Sequence, residues 1–191
     1  MTTKTVWETL HTRSSVGKLG EPAPAGEALA NMLKAAVRVS DHRRLRPWRF
    51  LLIEGEGRHA LGRVFVESAL AANPALTPDE QEKAAAKAQR APLIVVVVAR
   101  VRPDPKVPEI EQLLSAGAAA QMLLVAAHAQ GFGGIWRTGA AAYDAGVWRR
   151  LGLAEGERIV GFLYLGTPLV PGKPAEIDYR DYVSHWPGRA D

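Results

Sequence analysis

The sequence contains no cysteine among its 191 residues. This absence excludes disulfide bonds, thiolate nucleophiles, cysteine-ligated zinc and iron–sulfur clusters. An excess of one charge sign is missing too, because the formal net charge at pH 7 is only +4, too small to indicate nucleic-acid binding by itself. The first residues lack the apolar run and cleavage site of a signal peptide, so we expect a cytoplasmic protein.

Several well-known catalytic and nucleotide-binding motifs are also missing. The chain has no Gly-x-Ser-x-Gly elbow, no Gly-x-x-x-x-Gly-Lys-Ser/Thr phosphate loop and no His-Glu-x-x-His metal motif. Residues 55–60 match Gly-x-Gly-x-x-Gly/Ala, but the acid expected about twenty residues later falls at the start of another helix. We therefore predict an ordinary strand-to-helix turn there, and no metal site.

The length and the order of elements indicate one domain over residues 1–191, a mixed α/β sandwich. Helices, a strand, helices, a strand, a long helix, a strand, a helix and a strand follow one another, which predicts helices on both sides of one mixed sheet. The clearest strand, residues 93–99, contains four consecutive valines without polar alternation, so both its faces should be covered. Residues 168–191 have too few apolar positions for their own core. We predict a tail that packs on the body or on a partner subunit.

The long helix predicted at residues 113–130 carries no charged side chain. It belongs to an uncharged stretch long enough to span a bilayer, but its alanines and glycines, together with Gln121, His128 and Gln130, favour a buried helix. Small or apolar residues occur on nearly every side, more than one domain would bury on one helix. We therefore expect this helix at a dimer interface.

A glycine-rich turn follows that helix and leads into Trp136, Arg137 and Thr138. Three glycines in residues 131–134 let the backbone turn tightly and approach another molecule. The tryptophan offers a flat apolar face, the arginine a planar positive fork and the threonine a hydroxyl, which together suit an anionic, planar ligand. The alternative is a helix C-cap followed by a buried strand that happens to carry an arginine.

Two further basic elements lie nearer the amino terminus. Arg13, Ser14 and Ser15 follow the first helix, and an arginine with hydroxyls and free backbone N–H groups suits a phosphate; a solvated turn is the alternative. Arg38 and the basic residues between Asp41 and Trp48 form the second element. This element is either a basic surface loop or a nucleic-acid contact.

The ordered set of these elements resembles the nitroreductase family of flavoproteins, and in particular its short bacterial NAD(P)H nitroreductases. The set comprises Arg-x-Ser after the first helix, Pro47-Trp48 before the first strand, the valine-rich strand, the small-residue helix ending in Gln-Gly-Phe-Gly-Gly, and Ile-Trp-Arg-Thr-Gly. Residues 159–168 are similar to the family's closing strand. No single motif is specific to the family, but the order of the motifs along the chain is.

The resemblance implies a nitroreductase-like three-layer α+β sandwich, FMN bound at a homodimer interface, and NAD(P)H as electron donor. It implies ping-pong hydride transfer to a nitroaromatic or quinone-like acceptor. The cofactor-binding positions that it implies are Arg13, Ser14, Ser15, Arg38, His42, Trp136, Arg137 and Thr138. In the short members the positions of Arg38 and His42 reach the flavin of the other subunit. The flavin carries the electron chemistry, so no catalytic side chain and no metal are predicted.

The chain departs from the family pattern in two places. Short members often have Arg-Arg-Ser where this chain has Arg13-Ser14-Ser15, and many larger members have Asn-x-Gln-Pro-Trp where it has Arg44-Leu45-Arg46-Pro47-Trp48. These departures put inherited flavin contacts and substrates in question. Two alternatives therefore stay open: the same flavin fold with other redox chemistry, such as dehalogenation, flavin fragmentation or azoline oxidation, and a non-enzymatic basic nucleic-acid-binding domain.

Overall fold

A computed structural model of the chain describes residues 5–188. The helices are α1 Val6–Thr12, α2 Gly26–Ala36, α3 Glu56–Ala72, α4 Pro78–Ala86, α5 Glu109–Ala129 and α6 Ala145–Arg150. The strands are β1 Leu19–Gly20, β2 Trp48–Glu54, β3 Leu93–Arg100, β4 Gly133–Arg137 and β5 Glu157–Pro168. Short 3₁₀ turns lie at His42–Arg44, Lys87–Gln89, Ala140–Ala142 and Tyr179–Tyr182.

One five-stranded sheet has the order β1-β5-β3-β2, with β4 also pairing with β5. Every strand pair within residues 5–188 is antiparallel, so the prediction of a mixed sheet is wrong. Between β2 and β3 the helices α3 and α4 pack together and return the chain to the end where β2 stopped. Glu54 therefore pairs with Leu93, the last residue of β2 with the first of β3. A helical connection predicts a crossover to a parallel strand only when the chain returns to the opposite end.

The sheet lies between two helical layers, which confirms the predicted sandwich. On one face α2 and α5 cover alternate residues of β3 and β5, with Met32 and Leu123 fully buried. On the other face α3 and α6 cover the remaining residues, and Phe65 meets Phe162 edge to face at 5.5 Å between ring centroids. All of residues 93–99 are buried, as the run of valines predicts.

Helix α5 begins at Glu109, four residues before the predicted start, because Pro108 ends the preceding loop at its N-cap. By length and composition alone it could cross a membrane, but eight of its residues are buried against the protein. The opposite side carries an exposed apolar stripe at helical spacing: Ile110, Leu114, Ala118 and Met122. Nothing in residues 5–188 of the same chain covers this stripe.

Strand β1 was not predicted, since two residues carry no pattern of their own. Leu19 pairs with Pro168 at the end of β5, and the N–H of Leu169 donates to the carbonyl of Lys18. Beyond this point the tail extends with its aromatic side chains outside, and Tyr182 and Trp186 are 79% and 85% exposed. Packing of the tail on a partner subunit stays a prediction.

Candidate functional site

The Trp136-Arg137-Thr138 triplet lies at the end of edge strand β4 and in the residue after it. The indole N–H of Trp136 donates to the carbonyl of Val160 at 3.3 Å, on the α5 side of the sheet. Gly161 makes this possible, because a Cβ there would overlap the indole ring. Arg137 pairs in register with Phe162 and therefore projects from the opposite face, towards α3.

A pocket of about 490 Å³ lies on that opposite face, within the range of ligand-binding clefts. Its apolar floor consists of Phe65, Phe162 and Tyr164, and the turn after β4 forms one wall. Lys87 and Arg90, which precede β3, form another wall together with Arg137. The pocket thus combines an apolar slot with three cations.

Lys87 and Arg90 were missed in the sequence, where they are two ordinary cations at the end of a helix. Only the packing of α4 and its 3₁₀ extension against α3 brings them to this pocket. The sequence holds no local signal that would have found them.

The charge on Arg137 has no carboxylate partner in the part of the chain from residue 5 to residue 188. Its Nε is buried without a hydrogen-bond partner there. At the pocket floor, burial raises the pKa of Tyr164, while the nearby charges of Arg90 and Arg137 act in the opposite direction. A buried polar atom without a partner calls for an explanation, and an anionic ligand beside the guanidinium is one.

The chain directly after the Arg13-Ser14-Ser15 element contacts β4. The N–H of Val16 donates to the carbonyl of Gly134 at 3.0 Å. Gly17 lies against the guanidinium, since a Cβ there would be 3.6 Å from Nη2 of Arg137. Arg13 and Ser14 are half-buried and Ser15 is exposed. The structure therefore brings two of the predicted binding elements together.

Arg38 and His42 lie elsewhere, near the amino-terminal end of α5. Nδ1 of His42 is 2.6 Å from Oε2 of Glu111 in the first turn of that helix. Thr12, beside the first binding element, is 2.9 Å from His128 in the last turn. Glu111 and His128 are 17 residues apart, about 26 Å along a helix. Within one chain, His42 therefore lies far from Thr12 and from the Arg13-Ser14-Ser15 element that follows it.

The sequence profile of the Nitroreductase family matches residues 10–167. The chain belongs to the nitroreductase family. It is 47% identical over 165 residues to "Putative NAD(P)H nitroreductase YdjA" of Escherichia coli K12, covering 84% of this chain and 87% of that protein. The resemblance stated from the sequence is thus confirmed, and the chain is an oxidoreductase.

Solved structures show the same fold at lower identity. A nitroreductase-like family protein from Bacillus cereus superposes with a TM-score of 0.81 at 24% identity, covering 98% of this chain and 99% of that one. A nitroreductase from Desulfovibrio desulfuricans, solved in complex with FMN, gives a TM-score of 0.74 at 21% identity, covering 98% and 100%. The α+β sandwich is confirmed; the roles of the eight cofactor-binding positions stay predictions.

Proposed function

We propose that this nitroreductase-family protein is an FMN-dependent enzyme that uses NAD(P)H to reduce nitroaromatic or quinone-like acceptors in the cytoplasm. One observation carries the proposal: Arg137 brings a charge without a carboxylate partner in residues 5–188 to a pocket whose floor is apolar and aromatic. FMN has a planar apolar ring whose reduced form carries negative charge, so its ring matches an apolar floor beside a cation.

The residues present fit the two ends of FMN. Arg13, with the hydroxyls of Ser14 and Ser15, would hold the phosphate, since arginine binds phosphate through paired hydrogen bonds. Arg137, Trp136 and Thr138 would hold the ring side, where a nearby cation stabilises the negative charge of a reduced flavin. Held there, FMN would supply the redox chemistry that links oxidation of NAD(P)H to reduction of the acceptor.

This chain contributes binding, orientation and exclusion of water rather than a catalytic acid. Donor and acceptor would use the same open side of the ring in turn, which predicts ping-pong kinetics. Other redox chemistry on the same fold remains the second candidate, because the residues that line the pocket do not identify the acceptor.

We further propose a homodimer with composite sites. The apolar stripe of α5 (Ile110, Leu114, Ala118 and Met122) needs cover, and a second copy supplies an equally apolar surface. If the stripes of two α5 helices pack antiparallel about a two-fold axis, the Ile110 end of one lies beside the Met122 end of the other. We propose that Arg38 and His42 of one chain complete the flavin site of its partner across this interface, as the family resemblance implies.

The absorption spectrum of the purified protein tests the proposed cofactor. We expect a yellow protein that releases FMN, and not FAD, on heating, and whose flavin is bleached by NADH or NADPH without oxygen. A colourless protein that also fails to take up added FMN would overturn the proposal. Nucleic-acid binding with a steep salt dependence by such a colourless protein would instead favour a basic binding domain.

A further inference from the structure

The loop after α2 carries three arginines in a backbone conformation that side chains rarely adopt. Residues 43–46, here named the arginine loop, contain Arg43, Arg44 and Arg46 with φ of 60°, 53° and 50°. Such left-handed residues are unfavourable outside glycine and cluster at functional sites. In this chain arginine occupies all three of these positions.

The surrounding structure holds the arginine loop in place. The carboxylate of Asp41 accepts hydrogen bonds from the N–H groups of Leu45 and Arg46, at 3.1 and 2.7 Å. Nη2 of Arg102 donates to the carbonyl of Leu45 at 3.0 Å. The loop is thus fixed by its backbone, and its arginine side chains are left exposed.

The arginine loop also carries more positive charge than the acids around it neutralise. No ion pair engages Arg44, Arg46 or Arg102 between residues 5 and 188. Glu157 pairs with Arg49 at 2.6 Å. Asp104 accepts from the N–H groups of Lys106 and Val107, and its charge offsets part of the charge of Arg43 and Arg102.

A shallow groove of about 200 Å³ runs beside the loop and is lined by Arg46 and Arg102. Glu155 is the one carboxylate lining the groove that makes no ion pair with another described residue. The groove lining has three arginines (Arg46, Arg100 and Arg102) against two glutamates (Glu155 and Glu157), so this surface keeps a net positive charge and suits a phosphate.

The position of the loop connects this charge with the proposed flavin site. His42, which would reach the partner's pocket, directly precedes Arg43. Because an extended chain spans at most about 3.6 Å per residue, the Cα of Arg46 is within about 14 Å of that of His42. A nicotinamide placed on the flavin must carry its adenosine half away from the ring, over a distance of that order.

We propose that the arginine loop binds the adenosine 2′-phosphate of NADPH and makes the enzyme prefer NADPH to NADH. This inference rests on the proposed function. The two donors differ only by this phosphate, and an arginine fork binds it through paired, charge-assisted hydrogen bonds. The arginine loop would act on the partner's flavin site and would leave hydride transfer itself unchanged.

The double variant Arg44→Gln and Arg46→Gln of the FMN-loaded protein tests the loop. We expect kcat/KM for NADPH to fall at least tenfold through KM, while kcat and the values for NADH stay within twofold. By calorimetry, 2′,5′-ADP should bind the wild type at least tenfold more tightly than 5′-AMP, and the variant should lose this difference. The variant Arg44→Gly and Arg46→Gly should behave alike, because glycine accepts the left-handed backbone.

The matched control removes two exposed arginines of α3 and α6, Arg63→Gln and Arg149→Gln, and should keep the donor preference. Three results of the double variant would overturn the inference while leaving the flavin enzyme intact. They are equal losses with NADPH and NADH, a change confined to the KM of the acceptor, and no effect in a protein that retains FMN. The inference would also fail if the double variant lost oligonucleotide binding but kept its affinity for 2′,5′-ADP. A protein without FMN would instead defeat the proposed function, independently of the calorimetric result.

Discussion

At the scale of single residues, Arg137 is the last residue of β4, and its side chain lines the pocket. Replacing a desolvated charged partner of an anion costs about 2–5 kcal/mol, so Arg137→Ala should weaken FMN binding at least tenfold while the fold survives. Fluorescence titration of the apoprotein with FMN measures this. Arg13→Ala should act in the same direction.

Arg58→Ala serves as the control for these two arginines. Arg58 belongs to the Gly55-x-Gly57 turn and donates to the carbonyl of Ala91 at 3.1 Å, away from the pocket lining. Its loss should lower the melting temperature without changing flavin affinity. Unchanged FMN affinity in Arg137→Ala would show that Arg137 is only structural.

Glu157 is the residue that should make stability depend on pH. Arg49 donates from Nε and Nη2 to its two oxygens, at 2.7 and 2.6 Å, and these bonds, with lesser help from Ala154 and Arg100, lower the pKa of Glu157. The ionised pair therefore stabilises the fold above about pH 4.3, the unfolded value for glutamate. This contribution is lost as the pH falls through the lower folded pKa.

Glu157→Gln should reduce the free energy of unfolding at pH 7 by about 1.5–3 kcal/mol. The gap from the wild type should close only below about pH 4, when the wild type also loses the charge. Urea unfolding between pH 3 and 7 checks both statements. Glu67→Gln, which breaks an exposed pair with Arg150, should cost less than about 1 kcal/mol, and a pH-independent gap for Glu157→Gln would contradict the assignment.

At the scale of elements, the contact between β4 and β5 positions the binding triplet. Gly161→Ala would push the indole of Trp136 off its place and move Arg137 and Thr138 with it. We expect a loss of about 1–3 kcal/mol in stability from overpacking, and at least a tenfold loss in FMN affinity. Thermal unfolding and flavin titration measure these effects separately.

Gly117→Ala is the matched control on the other side of the same indole. A Cβ at Gly117 would lie 3.9 Å from Cη2 of Trp136, an ordinary contact. Alanine in a helix interior is favoured over glycine by about 0.5–1 kcal/mol, so this variant should be at least as stable as the wild type. Equal flavin affinity in both variants would mean that the triplet does not depend on the packing of Trp136.

At the scale of the whole molecule, the separation of Arg13 from His42 makes mixed dimers informative. In a dimer of one Arg13→Ala chain and one His42→Ala chain, one composite site would lose both residues and the other would keep both. We expect about half of the wild-type activity per dimer, more than either mutant homodimer gives. Differentially tagged chains purified as heterodimers allow this measurement.

Two results would count against composite sites. One is a fully flavinated monomer in light scattering. The other is a mixed dimer no more active than the mean of the two mutant homodimers.

Separately, Leu114→Glu on the exposed stripe of α5 should dissociate the dimer and lower its flavin content together.

The sequence by itself determined the family and every strand except β1. The valines of β3 require cover on both faces, and Asp144 caps α6 by accepting from the N–H of Val147 at 2.8 Å. These features depend on neighbours within a few residues, so local patterns suffice. The triplet and the Arg13-Ser14-Ser15 element were also visible, as charges and hydroxyls beside a turn.

Only the tertiary structure decided how these pieces meet. The antiparallel pairing of β2 with β3 depends on how α3 packs on α4, and the two-residue strand β1 exists only because Leu19 meets the end of β5. Lys87 and Arg90 join the pocket through packing between elements distant in sequence. The separation of about 26 Å between the His42–Glu111 and Thr12–His128 contacts is set by the length of α5. Contacts of this kind depend on packing among many residues that are distant in sequence, so no short stretch of sequence encodes them.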